Sequence, residues 1–139
     1  MSPIAHAIAR AQSGLDWSYP CLIWAMDYVA EATGRDPAAA WRHLNWDEAT
    51  ARRELGRAAV AGTGETAVER ALDAAAQREG WAEAEGPRQG AVMIGVFEAE
   101  DGIGVPAIFD GQDRWIVSND GRGVTTLAEA PKRIWEIDA

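Results

Sequence analysis

One cysteine and two histidines carry most of the nucleophilic and acid–base chemistry open to this 139-residue chain. Cys21 follows Pro20 in the stretch DWSYPCLIWAMDYVAEATGRDP, residues 16–37, where a helix is expected to begin. A helix start exposes unpaired N–H groups and a partial positive charge, and both favour thiolate over thiol. A nucleophilic cysteine also needs a base within hydrogen-bond reach and a third group to orient that base, which is usually a histidine. His6 lies with Arg10 on the side of the first helix away from Ile4 and Ile8, and reads as a solvated surface residue. His43, in WRHLNW (41–46), reads as a residue bonding the last carbonyls of a short helix. To substitute as the base it would have to come within about 3 Å of the Cys21 sulfur. Cys21 is followed by Leu22, Ile23 and Trp24, and without a partner base it reads as a packed, unreactive thiol. The nucleophile is the alternative.

Other chemistry-bearing patterns read more plainly as structure. Asp27 and Glu31, four apart, share a helix face, but paired catalytic carboxylates come from separate elements across a cleft, so a solvated stripe is expected. EAEDG (98–102) and NDGRG (119–123) place acidic groups near glycines without the twelve-residue calcium-loop pattern, and read as turns. GTGETA (62–67) lacks the lysine and spacing of a phosphate loop and reads as a turn and helix cap. No cysteine and histidine pair has zinc-ligand spacing, so no metal or cofactor is expected. Of the seven tryptophans most should be core, with Trp46 and Trp81, which flank polar segments, the candidates for interface anchors.

Bulk properties narrow the partners. With 22 acidic against 13 basic residues the chain carries a charge of −9, which repels a phosphate backbone and argues against nucleic acid. An acidic inhibitor of a basic surface stays open. A lone cysteine fits a reducing cytoplasm, MSPIAHAIARAQSG lacks a signal-peptide pattern, and no run of 18 apolar residues suggests a membrane span.

These residues must be positioned by a single domain, 1–139, of which 47% is apolar. The pattern predicts helices over about 3–13, from Pro20 to Gly34, over PAAAWRHL (37–44), over EATARRELGRA (48–58) and over ETAVERALDAAAQRE (65–79). The second, with Leu22, Ile23, Ala25, Met26, Val29 and Ala30, should be the central buried helix. After a loop over 81–90 the period changes to five short apolar runs: AVMIGVF, GVPAIF, RWIVS, VTTL and RIWEI. The expected architecture is α+β, with a helical half (1–80) packed on a small antiparallel sheet (90–139). Pro106 should sit where its strand is interrupted, bulged or at an edge.

WSYPCLIWAMD, then TGRDPAAAWR, a glycine-opened strand and a closing RIWEI together resemble a family of uncharacterised proteins encoded among phage tail genes. That family in turn looks like a compact branch of the NlpC-like, papain-like cysteine endopeptidases that cut peptidoglycan. The resemblance covers about Trp17 to Ile137, and TGRDPAAAWR is its most specific stretch. It places the family tryptophan at Trp17 and the nucleophile at Cys21. Where the peptidases have aspartate before the cysteine this chain has Pro20, and where they have Gly-Asp it has Gly90-Ala91. The family's base falls at Gly104 or Val105, in GVPAIFDG (104–111), and neither accepts a proton. The resemblance therefore implies a papain-like fold without its base. It would be made in a bacterial host cytoplasm and built into a phage tail or tail tip beside other tail proteins. A peptidoglycan-cutting enzyme using Cys21, or a module that binds cell wall without cutting, are the alternatives.

Overall fold

The structure, a computed structural model, describes residues 2–12, 21–39, 66–99, 104–118 and 123–137. Helix α1 spans Pro3–Gln12, α2 Cys21–Thr33 and α3 Ala67–Glu79. Each begins or ends for a local reason. Ser2 Oγ accepts the Ala5 N–H at 3.1 Å, with Pro3 in the first turn, where a missing N–H costs nothing. α2 stops at Gly34, whose φ of 76° lies in the left-handed region that glycine enters freely; its N–H closes on Ala30 O at 2.8 Å. α3 opens with a capping box, in which Thr66 Oγ1 accepts the Glu69 N–H while the Glu69 carboxylate receives the Thr66 N–H.

The predicted helices at 3–13, 20–34 and 65–79 are thus present among the described residues. Pro37 to Ala39 form a turn, with Asp36 Oδ1 accepting the Ala38 N–H at 3.0 Å. The rest of the third predicted helix and all of the fourth lie outside the described residues.

The C-terminal part is a six-stranded sheet of order β1-β6-β2-β3-β4-β5, in which every neighbouring pair is antiparallel. Its strands are β1 Ala82–Ala84, β2 Val92–Phe97, β3 Val105–Phe109, β4 Trp115–Ser118, β5 Val124–Leu127 and β6 Arg133–Ile137. Five match the apolar runs. β1 lies in the stretch read as a loop: AEA has no apolar alternation, and it is a strand because β6 offers it an edge, Glu83 standing opposite Trp135. β2 to β5 form a meander, and β6 returns to the free side of β2, Ile94 pairing with both Ile108 and Trp135. Pro106 lies inside β3 opposite Val96. The register to β4 takes up only Ile108 and Phe109, so the missing donor breaks no β3–β4 bond there.

The strands bury both faces. Ile94, Val96, Ile108, Ile116, Trp135 and Ile137 face the helices, joining Trp24, Met26, Val29 and Leu72 in the main core. Met93, Ala107, Phe109, Trp115 and Ile134 form a second cluster on the opposite face, where the Phe109 and Trp115 rings meet at 5.0 Å. On that face a Cβ at Gly95 would stand 2.7 Å from the Pro131 ring, so the glycine is what lets the approach to β6 cross the sheet closely. The α+β architecture is as predicted.

Candidate functional site

Cys21 is the first residue of α2, as its neighbours predicted; its side chain lies outside what the structure describes. Trp17, His43 and Trp46 also lie outside the described residues. What the structure does describe is the segment assigned to the missing base. α2 packs on β3, and Gly104 stands immediately before that strand with φ 89°. A Cβ at Gly104 would lie 2.6 Å from Thr66 Oγ1 and 2.9 Å from Thr66 Cβ, both closer than side-chain carbons approach. The cap of α3 therefore fills the space that an imidazole at 104 would need. Val105 offers nothing better, because strand alternation turns it to the second cluster with Ala107 and Phe109. Ala91, where the peptidases carry aspartate, is 8% exposed and packed in that same cluster.

His6 lies at the surface, its side chain 41% exposed, and it has a partner there. Its Nδ1 meets a carboxylate oxygen of Glu31, and Arg10 Nη1 bonds the other oxygen at 3.4 Å, so Glu31, exposed as expected, also joins α1 to α2. The His6 bond, ahead of the weaker Arg10 contact, holds the Glu31 carboxyl below the usual carboxylate range. A histidine oriented by a carboxylate is the second half of a catalytic triad. Here it engages α2 ten residues past Cys21, a helical rise of about 15 Å. Tyr28, buried on α2, is pushed up to about 12 by desolvation and stays a neutral phenol.

No family model, curated protein or solved structure matches this chain. Its chemistry has to be read from its own residues. Among those described, no group of three or more His, Cys, Asp or Glu side chains has the arrangement to hold a metal ion. No described helix is long and apolar enough to cross a membrane.

Two features escaped the sequence reading. The first is an ionic clasp at the amino end of α3. Glu69, 3% exposed, receives Lys132 Nζ at 2.9 Å and Arg133 Nη1 at 3.3 Å. Arg133 also reaches Asp73 at 3.0 Å and Glu83 at 2.6 Å, and lies 4.7 Å over the Trp135 ring. This joins α3, β1 and β6 through one guanidinium. The TAVE spelling of residues 66–69 carried the signal for the cap, but nothing local marked Arg133 as its partner.

The second is a cleft of about 110 Å³ where the carboxyl ends of α2 and α3 converge. Thr33, Arg35, Glu79, Gly80, Trp81 and Ile137 border it. Trp81, named from sequence as an interface anchor, is half-buried here against the main core. Arg35 Nη2 bonds Glu79 Oε2 at 3.0 Å, and Arg78 Nη2 donates to Pro37 O at 2.6 Å, lacing the two helix ends together.

Proposed function

We propose that this chain is a papain-like domain that does not cut, serving as an assembly subunit of a phage tail or tail tip and held there by protein contacts. One contact supports the reading above the others: the α3 cap, through Thr66, stands against Gly104, the position that the family resemblance gives to the catalytic base. A thiol without a positioned base forgoes the roughly 100- to 10,000-fold that proton transfer supplies. A scaffold whose base position is occupied by its own secondary structure is suited to being bound rather than to turning over substrate. Quantitative analysis of purified virions tests this. The chain should be present at a fixed number of copies per particle, and its absence from mature particles would defeat the reading.

A peptidoglycan-cleaving endopeptidase is the second reading, favoured by Cys21 standing at the first position of α2. Alkylation of Cys21 by iodoacetamide across pH separates the two. The non-cutting reading expects a rate profile with a midpoint near or above the free-thiol value of about 8.5. A midpoint several units lower, with hydrolysis of stem peptides abolished by Cys21→Ala, would establish the enzyme instead.

A further inference from the structure

We propose that the cleft between the carboxyl ends of α2 and α3 is a seat for a cationic side chain, a lysine or arginine presented by a protein partner. Both helices point their negative poles into it. Their last turns end at Gly34 and Gly80, whose φ values of 76° and 78° turn the chain out of each helix, so the partial negative charge of both carboxyl ends lies beside the gap. The least exposed charge bordering the cleft is also negative. The Glu79 side chain is 18% exposed, whereas the two arginines that meet it, Arg35 at 3.0 Å and Arg78 at 3.6 Å, are 69% and 48% exposed. Trp81 borders the cleft together with Val29 and Ile137, and an indole ring attracts a cation that has shed part of its water.

Arg35 shows the chemistry in miniature. Its guanidinium already takes the outer side of Glu79, and exposed ion pairs of this kind contribute little, so an incoming cation displaces it at small cost. The chain's overall charge of −9 favours the approach of a basic partner. This inference does not depend on the fate of Cys21; an enzyme with the same fold would carry the same cleft.

The test uses the full chain and two small probes, N-acetyl-lysine methylamide and its neutral norleucine counterpart, followed through the tryptophan indole N–H resonances. Trp81→Phe identifies the Trp81 signal by its loss. The lysine probe should shift that signal saturably with a Kd of about 1–10 mM, and the norleucine probe should not. Arg35→Ala, which removes the internal competitor, should tighten the lysine probe roughly fivefold. Glu79→Gln should weaken it about tenfold. The sign of the Arg35→Ala effect is decisive. If that variant shows no saturable shift with the lysine probe, or if N-acetyl-glutamate shifts the Trp81 signal in the parent and Arg35→Ala abolishes it, the cleft is not a cation seat.

Discussion

The two ends of α3 are built on opposite terms. At the amino end Thr66 and Glu69 cap each other, Gly104 packs on the cap without room for a methyl group, and the buried Glu69 carboxylate is held by Lys132 and by Arg133 at the start of β6. At the carboxyl end Glu79 borders a cleft and meets two solvent-exposed arginines, Arg35 and Arg78. Low local dielectric makes the first set of charges costly to separate, while solvent screening makes the second set cheap. A helix end that is sealed serves the fold. An end left open, with charge that can be exchanged, is where a partner can act.

The largest test of the sealed end is Gly104→His, which puts an imidazole at the position that the proposed family resemblance gives to a base. The substitution forces a residue with a Cβ into φ 89° and drives its side chain into Thr66. Left-handed strain of about 1–2 kcal/mol adds to overpacking of about 1–3 kcal/mol. Urea unfolding should therefore show a loss of roughly 2–5 kcal/mol. A variant as stable as the parent would mean that the cap yields easily, and the contact of Thr66 with Gly104 would no longer support the non-cutting reading.

Removing one carboxylate from each end sharpens the contrast. Glu69→Ala leaves Lys132 and Arg133 facing a buried gap and dissolves half of the capping box, for an expected loss of about 2–4 kcal/mol. Glu79→Ala should cost no more than about 1 kcal/mol, because its partners Arg35 and Arg78 return to water. Equal losses in denaturant melts would erase the distinction between the ends.

Much of the scaffold was legible because its signals are local. Pro3, Gly34, Gly80 and the TAVE cap punctuate the helices, and the five apolar runs from 91 onward became the strands they spelled. β1 was not legible, since Ala82–Ala84 has no pattern of its own and exists as a strand only by pairing with β6. The candidate site divides the same way. That residue 104 cannot serve as a base follows from its being glycine, but that Thr66 stands in its place is a contact across 38 positions that no periodicity announces. The pairing of His6 was not legible because its partner, Glu31, is 25 residues away on another helix. Trp81 was picked for its polar flanks, yet the cleft beside it comes from two helices ending together, which is a tertiary event.

Thr66→Ala measures the cap alone. Loss of an N-cap hydroxyl typically costs about 1 kcal/mol, and this one is also buried against Gly104. The expected loss is about 1–2 kcal/mol, smaller than that of Glu69→Ala because the ionic contacts of Lys132 and Arg133 survive. The same melts decide this, and a Thr66→Ala loss exceeding that of Glu69→Ala would assign the strength of the sealed end to the hydroxyl rather than to the charges.

The smallest effect concerns acid. Glu83, on β1, is held below its ordinary value of 4.5 chiefly by its hydrogen bond to Arg133. Its unfolded form therefore binds a proton at higher pH than its folded form. The stability it contributes is fully present above about pH 4.5 and is lost as pH falls through the depressed folded value. Lys132 is shifted the other way, raised by its bond to Glu69, so its share persists at every pH below 10.5 and adds nothing to the acid limb. Glu31, lowered by His6, titrates in the same acid range at the other end of the molecule, and is present in both proteins compared. Because the Glu83 side chain is 53% exposed, solvent screening limits the advantage of the parent over Glu83→Gln to less than about 1 kcal/mol at pH 7. Urea midpoints measured at pH 7, 5, 4 and 3 should converge as the solution is acidified. A gap that survives undiminished at pH 3 would trace to lost packing of the β1 edge instead of charge, and would place β1 outside the ionic clasp that closes the amino end of α3.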